Sequence, residues 1–232
     1  MSFTISFKGL NDLKVLDSDA FHALDDGADI REITQKLIND LSNEAAAVFG
    51  YGKITVRQKW LQIEWDLTRP ISIFYNAGMY SSTGRLVYNP VLLAQVVNRF
   101  GKDTLLGILG HEVGHRMVHL LFIQRGIRIN NWQNEYCADY IAGLLLRLGQ
   151  CSPQGMNRFY REACADGGRD HPPGASRAAV FMQGYQMIDH DRKTVFLRTP
   201  EFSRVIDTRQ ILTDDFMRDK LLNDVIKRTQ RV

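Results

Sequence analysis

The sequence predicts an α+β fold: a small mixed β-sheet packed on a helical core, with additional helices toward the C-terminal end. Three observations predict it. Apolar residues recur at helical spacing in several separate stretches. Residues 53–88 alternate apolar and polar side chains as strands do. Along the chain a helix is followed by strands and then by helices, not by a strict alternation of the two. The 232 residues are 44% hydrophobic and 24% charged, with 6 Pro, which suits a folded core and not a disordered or collagenous chain.

The elements follow in order. Phe3, Ile5 and Phe7 alternate with polar residues and predict a short strand, and residues 10–28 read as irregular. Asp29-Ile30-Arg31-Glu32 is a capping-box pattern, and the apolar spacing from Ile30 to Val48 carries a helix that Gly50 and Gly52 end. Strands are expected around Ile54–Val56, Leu61–Trp65, Ile71–Tyr75 and Arg85–Tyr88, broken by Pro70 and by the turn Asn76-Ala77-Gly78. Pro90 opens a helix that Gly101 stops. Asp103 can cap the next helix, at about 104–123, and another spans about 132–148. Helices at about 153–164 and 175–189 flank the loop 165–174, and 194–232 reads as a strand-like piece and two polar helices. The organisation is an N-terminal extension, 1–28, a domain, 29–189, and a helical extension, 190–232, packed on that same domain.

Several classes are excluded. No apolar run approaches ~18 residues and the first residues lack a basic stretch followed by an apolar one, so the expectation is a cytoplasmic protein without a membrane span, or one exported by a route that leaves no N-terminal signal. Cys137, Cys151 and Cys164 are odd in number and lack CxxC spacing, so they read as reduced thiols. A net charge of +3 is too mild to imply nucleic acid. The charge is uneven: residues 1–50 hold four Lys/Arg and nine Asp/Glu, a net of −5 that leaves +8 for the rest. The acidic N-terminal segment is a candidate lid over a basic body.

The chemistry lies in His111-Glu112-Val113-Gly114-His115, an HExxH sequence inside a predicted helix. Four residues place the two imidazoles about 40° apart around the axis and ~6 Å along it, so both reach one zinc ion. Glu112 sits about 60° from His115, where it can touch an attacking water without ligating the metal, the position of a general base. A third ligand six residues beyond His115 would fall on Leu121, which cannot ligate. His119 lies ~12 Å along the helix from His111 and cannot share its metal, so it is expected exposed or beside the ligands. Glu135 and Asp139, four apart on the helix 132–148, share a face. Glu135 can complete the ligand set, and Asp139 can accept a hydrogen bond from a ligand histidine and fix its tautomer. Gly107, Gly110 and Gly114 form one stripe of the HExxH helix and Ala138, Ala142 and Gly143 make its partner small-faced, so a close backbone approach is expected there. His171-Pro172, with Arg177 six residues after the histidine, offers donors that could stabilise an oxyanion.

HExxH at 111–115, ExxAD at Glu135–Asp139 and HPxxxxR at His171–Arg177, in that order, resemble the HtpX and CAAX-prenyl-protease type of gluzincin metallopeptidase. The resemblance covers about 84–185 and includes the segment Gly84–Leu93, which is similar to that family's strand leading into a helix. It implies a zincin-type helical core, one Zn2+ held by His111, His115 and Glu135, Glu112 as base, and Asp139 orienting a ligand. It also implies His171 and Arg177 lining the cleft near the reacting carbonyl or the ligand glutamate, and residues Arg85, Leu86, Val87 and Tyr88 as a strand that pairs with extended substrate. The implied activity is that of a soluble, minigluzincin-like metalloendopeptidase acting on a protein or peptide. Two other readings stand beside it: a cytosolic regulatory protease similar to the ImmA/IrrE gluzincins, which share HExGH and a downstream ExxA[ND] helix, and a latent zincin that acts by binding.

Overall fold

Three strands precede the helices: β1 (Leu61–Trp65), β2 (Ser72–Tyr75) and β3 (Gly84–Tyr88). The computed structural model describes residues 61–65, 72–75, 84–149, 151–198 and 214–229. The expected strands at 3–7 and 54–56 and the helix of residues 29–49 lie outside the described residues, as does the whole of 1–28. The strand order is β1-β3-β2, with β3 parallel to β1 and antiparallel to β2. Leu86 and Tyr88 of β3 are buried in the main apolar core.

Helix α1 (Pro90–Phe100) ends at Gly101, whose φ of +96° lets the chain turn at once into α2 (Lys102–Leu121). Asp103 does not cap α2: Gly101 takes that position, and the Asp103 carboxylate accepts a hydrogen bond from Ser152 N at 2.8 Å. Phe122 and a 3-10 turn (Ile123–Arg125) close α2, and Gly126 leaves the turn in the left-handed region. Helix α3 (Asn131–Leu148) starts in a capping box: Gln133 N donates to Asn130 Oδ1 at 2.8 Å, and Asn130 N donates to Gln133 Oε1 at 3.0 Å. Helices α4 (Gln154–Ala163) and α5 (Gly174–Arg198) follow. Helix α5 runs nine residues past its expected end at 189, because no Gly or Pro interrupts the sequence until Pro200. Further along come α6 (Asp214–Lys220), a π-helical turn (Leu221–Ile226) and α7 (Lys227–Thr229), with Met217, Leu221, Val225 and Ile226 buried in the same core. Among the described residues no helix is long and apolar enough to cross a membrane.

The helical core forms as the apolar spacing requires. Helices α2 and α3 are buried on nearly all sides, and α3 packs between α2 and α5. The expected close approach is present: a Cβ on Gly114 would stand 2.8 Å from the Ala138 carbonyl oxygen, and one on Gly110 would meet Ala142 Cα at 3.4 Å. Gly107 instead faces the Met156 side chain of α4. Gly143, expected on the face toward α2, makes a second tight seam with α5 instead. A Cβ on Gly143 would lie 2.0 Å from the Phe181 carbonyl oxygen, so α3 and α5 touch backbone to backbone there. The two seams fix α3 against both neighbours and set the register of its polar face.

Candidate metal centre

Helix α2 presents His111 and His115 one turn apart, with ring centroids 4.5 Å from each other. Helix α3 brings Glu135 opposite them because Gly114 lets the helices close at Ala138, one turn beyond Glu135. His115 Nε2 lies 3.2 Å from Glu135 Oε1, and His111 Nε2 lies 3.4 Å from Glu135 Oε2. The ligand atoms of the three residues fall within 4.8 Å of one another, and they are the one such group among the described residues. They can hold a metal ion. Four-coordinate bonds of about 2.0–2.1 Å put ligand atoms roughly 3.3 Å apart, close to the two separations, which run to the two different oxygens of the Glu135 carboxylate. Glu135 Oε2 is also buried without a hydrogen bond, although Arg177 Nη2 is 3.2 Å away. Arg177 supplies one cation beside that oxygen, and a metal ion would supply the bond it lacks.

The imidazoles are held from behind. His111 Nδ1 stands 2.8 Å from Asp139 Oδ1, and His115 Nδ1 stands 3.2 Å from Asn134 Oδ1. Both Nε2 atoms are thereby turned toward Glu135. Arg177, from α5, clamps Asp139 with two parallel bonds, Nε to Oδ2 and Nη2 to Oδ1, each 2.9 Å. Tyr160, from α4, donates its hydroxyl to Asp139 Oδ1 at 2.5 Å, and the Arg177 guanidinium lies 4.8 Å from the Tyr160 ring centroid.

Burial alone would lower the His111 pKa, but Asp139 and then Glu135 outweigh it and raise it to about 10. A metal taken up at Nε2 therefore competes with a proton. Burial works against ionised Glu135 and Asp139 as well. His111 and His115 hold the Glu135 carboxyl far below the usual range, and Arg177 with His111 lowers that of Asp139. Burial, helped by Asp139, keeps the Tyr160 phenol well above its usual value and therefore a donor.

Glu112 and His111 border a cavity of about 500 Å³. Its walls come from Ile108, from Met156, Phe159 and Tyr160 of α4, and from the loop 164–167 with His171 and Arg177. The described wall of the cleft is thus α4 and the loop. Two hydrogen bonds tie that loop to the first turn of α3: Asn131 Nδ2 to Asp170 Oδ1, 2.9 Å, and Trp132 Nε1 to the Arg169 carbonyl, 3.2 Å.

The residues that the sequence singles out divide three ways. His111, Glu112, His115, Glu135, Asp139 and Arg177 are brought together and buried. Arg177 faces Asp139 and Glu135, the second of the two places expected for it. His171 is 61% exposed, with Nε2 3.8 Å from Glu135 Oε1. Residues 85–88 do not offer an edge for substrate. β3 is the middle strand: Gly84–Tyr88 pair with β1 on one side and Gly84–Val87 with β2 on the other, so residues 85–87 are flanked on both edges. His119 is not exposed: it is buried, 3.3 Å from Arg116 Nη1. Sequence reasoning misses Asn134 and Tyr160. Asn134 has a signal, since it directly precedes Glu135; Tyr160 has none beyond the buried face of an amphipathic helix. All three cysteines are free thiols, and burial pushes Cys151 up to about 12.

Compared with protein-family models, with curated proteins and with solved structures, the chain finds no match.

Proposed function

We propose that the chain is a zinc-dependent endopeptidase that binds one Zn2+ through His111, His115 and Glu135. Two imidazoles and a carboxylate with room for a further ligand suit catalytic zinc. A zinc ion bound there would act as a Lewis acid on a peptide carbonyl and lower the pKa of a water. Glu112 takes the proton of the attacking water and delivers it to the leaving amine. Asp139 holds the His111 tautomer, and Arg177 balances the charge of Asp139 and Glu135 from behind. His171, exposed and 3.8 Å from Glu135 Oε1, would donate to the oxyanion of a peptide lying in the cavity.

The observation that carries this reading is the position of Glu112: it borders the cavity next to His111 while Glu135 alone supplies the third ligand atom. Glu112→Gln should retain zinc and fold and lose about 10²–10⁴-fold in cleavage of an unstructured protein. Full activity in that variant would remove Glu112 from the chemistry. Zinc binding by the wild type with no cleavage of any peptide would favour the binding-only reading.

A further inference from the structure

We propose that Tyr160 is a positioning residue of the metal centre, acting on His111 through Asp139; the inference rests on the reading of His111, His115 and Glu135 as metal ligands.

Asp139 Oδ1 receives three donors: the Tyr160 hydroxyl at 2.5 Å, His111 Nδ1 at 2.8 Å and Arg177 Nη2 at 2.9 Å. Its other oxygen takes Arg177 Nε alone. The oxygen that fixes the ligand histidine is thus itself fixed from two sides, by a guanidinium and by a phenol. The guanidinium fork holds both carboxylate oxygens in its plane, and the hydroxyl, arriving from a third helix, adds a bond to the one oxygen that His111 uses.

Tyr160 is built for the task. It is fully buried, its ring lies under the Arg177 guanidinium, and Phe181 of α5 meets it edge-on at 5.8 Å between centroids. The ring cannot swing without disturbing α5, so the hydroxyl is delivered to one point. Helix α4 supplies no metal ligand, yet through Tyr160 it sets the orientation of one. Tyr160 also borders the cavity, so the wall that would contact a substrate is continuous with the support of the ligand set.

The test measures zinc affinity by competition with a coloured chelator, at fixed pH and salt, in the full-length protein. Tyr160→Phe removes the hydroxyl and keeps the ring. Tyr185→Phe is the control, because it deletes a comparable hydroxyl bond, Tyr185 to the Cys151 carbonyl at 2.9 Å, away from the ligands. Tyr160→Phe should bind zinc roughly tenfold more weakly, as losses of such outer partners do. Tyr185→Phe should bind as wild type, and the metal-free melting temperatures should stay within a few degrees. In an Asp139→Asn background, Tyr160→Phe should cause no further loss, since the two act as one unit. An unchanged affinity in Tyr160→Phe, an equal loss in Tyr185→Phe, or additive losses with Asp139→Asn would each overturn the proposal while leaving the metal site standing. A wild type that takes up no zinc would overturn both.

Discussion

The two histidines of the candidate metal centre sit one turn apart on one helix and are supported in opposite ways. His111 leans on a buried network drawn from three other helices, with the charged Asp139 of α3 and Arg177 of α5 and the neutral phenol of Tyr160 of α4. His115 leans on the neutral side chain of Asn134, which is partly open to solvent. One ligand is therefore fixed by the tertiary packing and the other by the first turn of α3, whose start is set by the Asn130–Gln133 capping box. The difference teaches that the centre has a rigid side and an adjustable side, and it can be attacked from each.

The largest effect is expected on the rigid side. Arg177→Met removes the guanidinium that Asp139 and Glu135 share and leaves His111 as the cation facing both, and loss of one partner from a buried pair costs about 3–5 kcal/mol. Urea unfolding of the metal-free protein should show a loss of that size, whereas Asn134→Ala should cost well under half as much. Equal losses would erase the distinction between the two sides.

Metal affinity should be graded in the same order. Asp139→Asn is expected to weaken zinc binding roughly 10–100-fold. Asn134→Ala should weaken it about threefold, the worth of a neutral, half-exposed hydrogen bond. A reversed ranking in chelator competition would show that His115 is the more constrained ligand.

The same contrast between local and tertiary support separates what the sequence makes legible from what it hides. The two histidines are legible because helix geometry alone puts residues four apart on one face. Asp139 is legible because it repeats that spacing from Glu135. The Gly114–Ala138 approach is legible because glycines cost stability in a helix unless something needs the room. Tyr160 is hidden, since its role depends on where α4 docks, which no local pattern states. The middle position of β3 is hidden for the same reason: alternation predicts a strand, but the neighbours on its two edges are set by long-range pairing. His119 misleads because a polar residue at a helix end is ordinarily exposed, while here the end of α2 is itself enclosed by the packing.

The smallest expected effect concerns His119, which shifts opposite to His111 on the same helix. Burial, and then the Arg116 cation, lower its pKa below the ordinary 6.5. The folded state therefore holds it neutral while the unfolded chain takes up a proton below about pH 6.5. Stability tied to this group is present above that pH and falls as pH drops toward the lowered folded value. Denaturant midpoints measured between pH 7 and 5 should decline less steeply in His119→Gln than in wild type. An identical slope would mean that His119 is not held neutral by the fold.

The central claim, that His111, His115 and Glu135 form one metal site, is tested most directly by metal content. Wild type and a His111→Ala, His115→Ala double variant would be purified without added metal and dialysed together against trace zinc. The account predicts one zinc per chain in the wild type and none in the double variant. Stoichiometric zinc retained without both histidines, or a wild type that binds none, would contradict it.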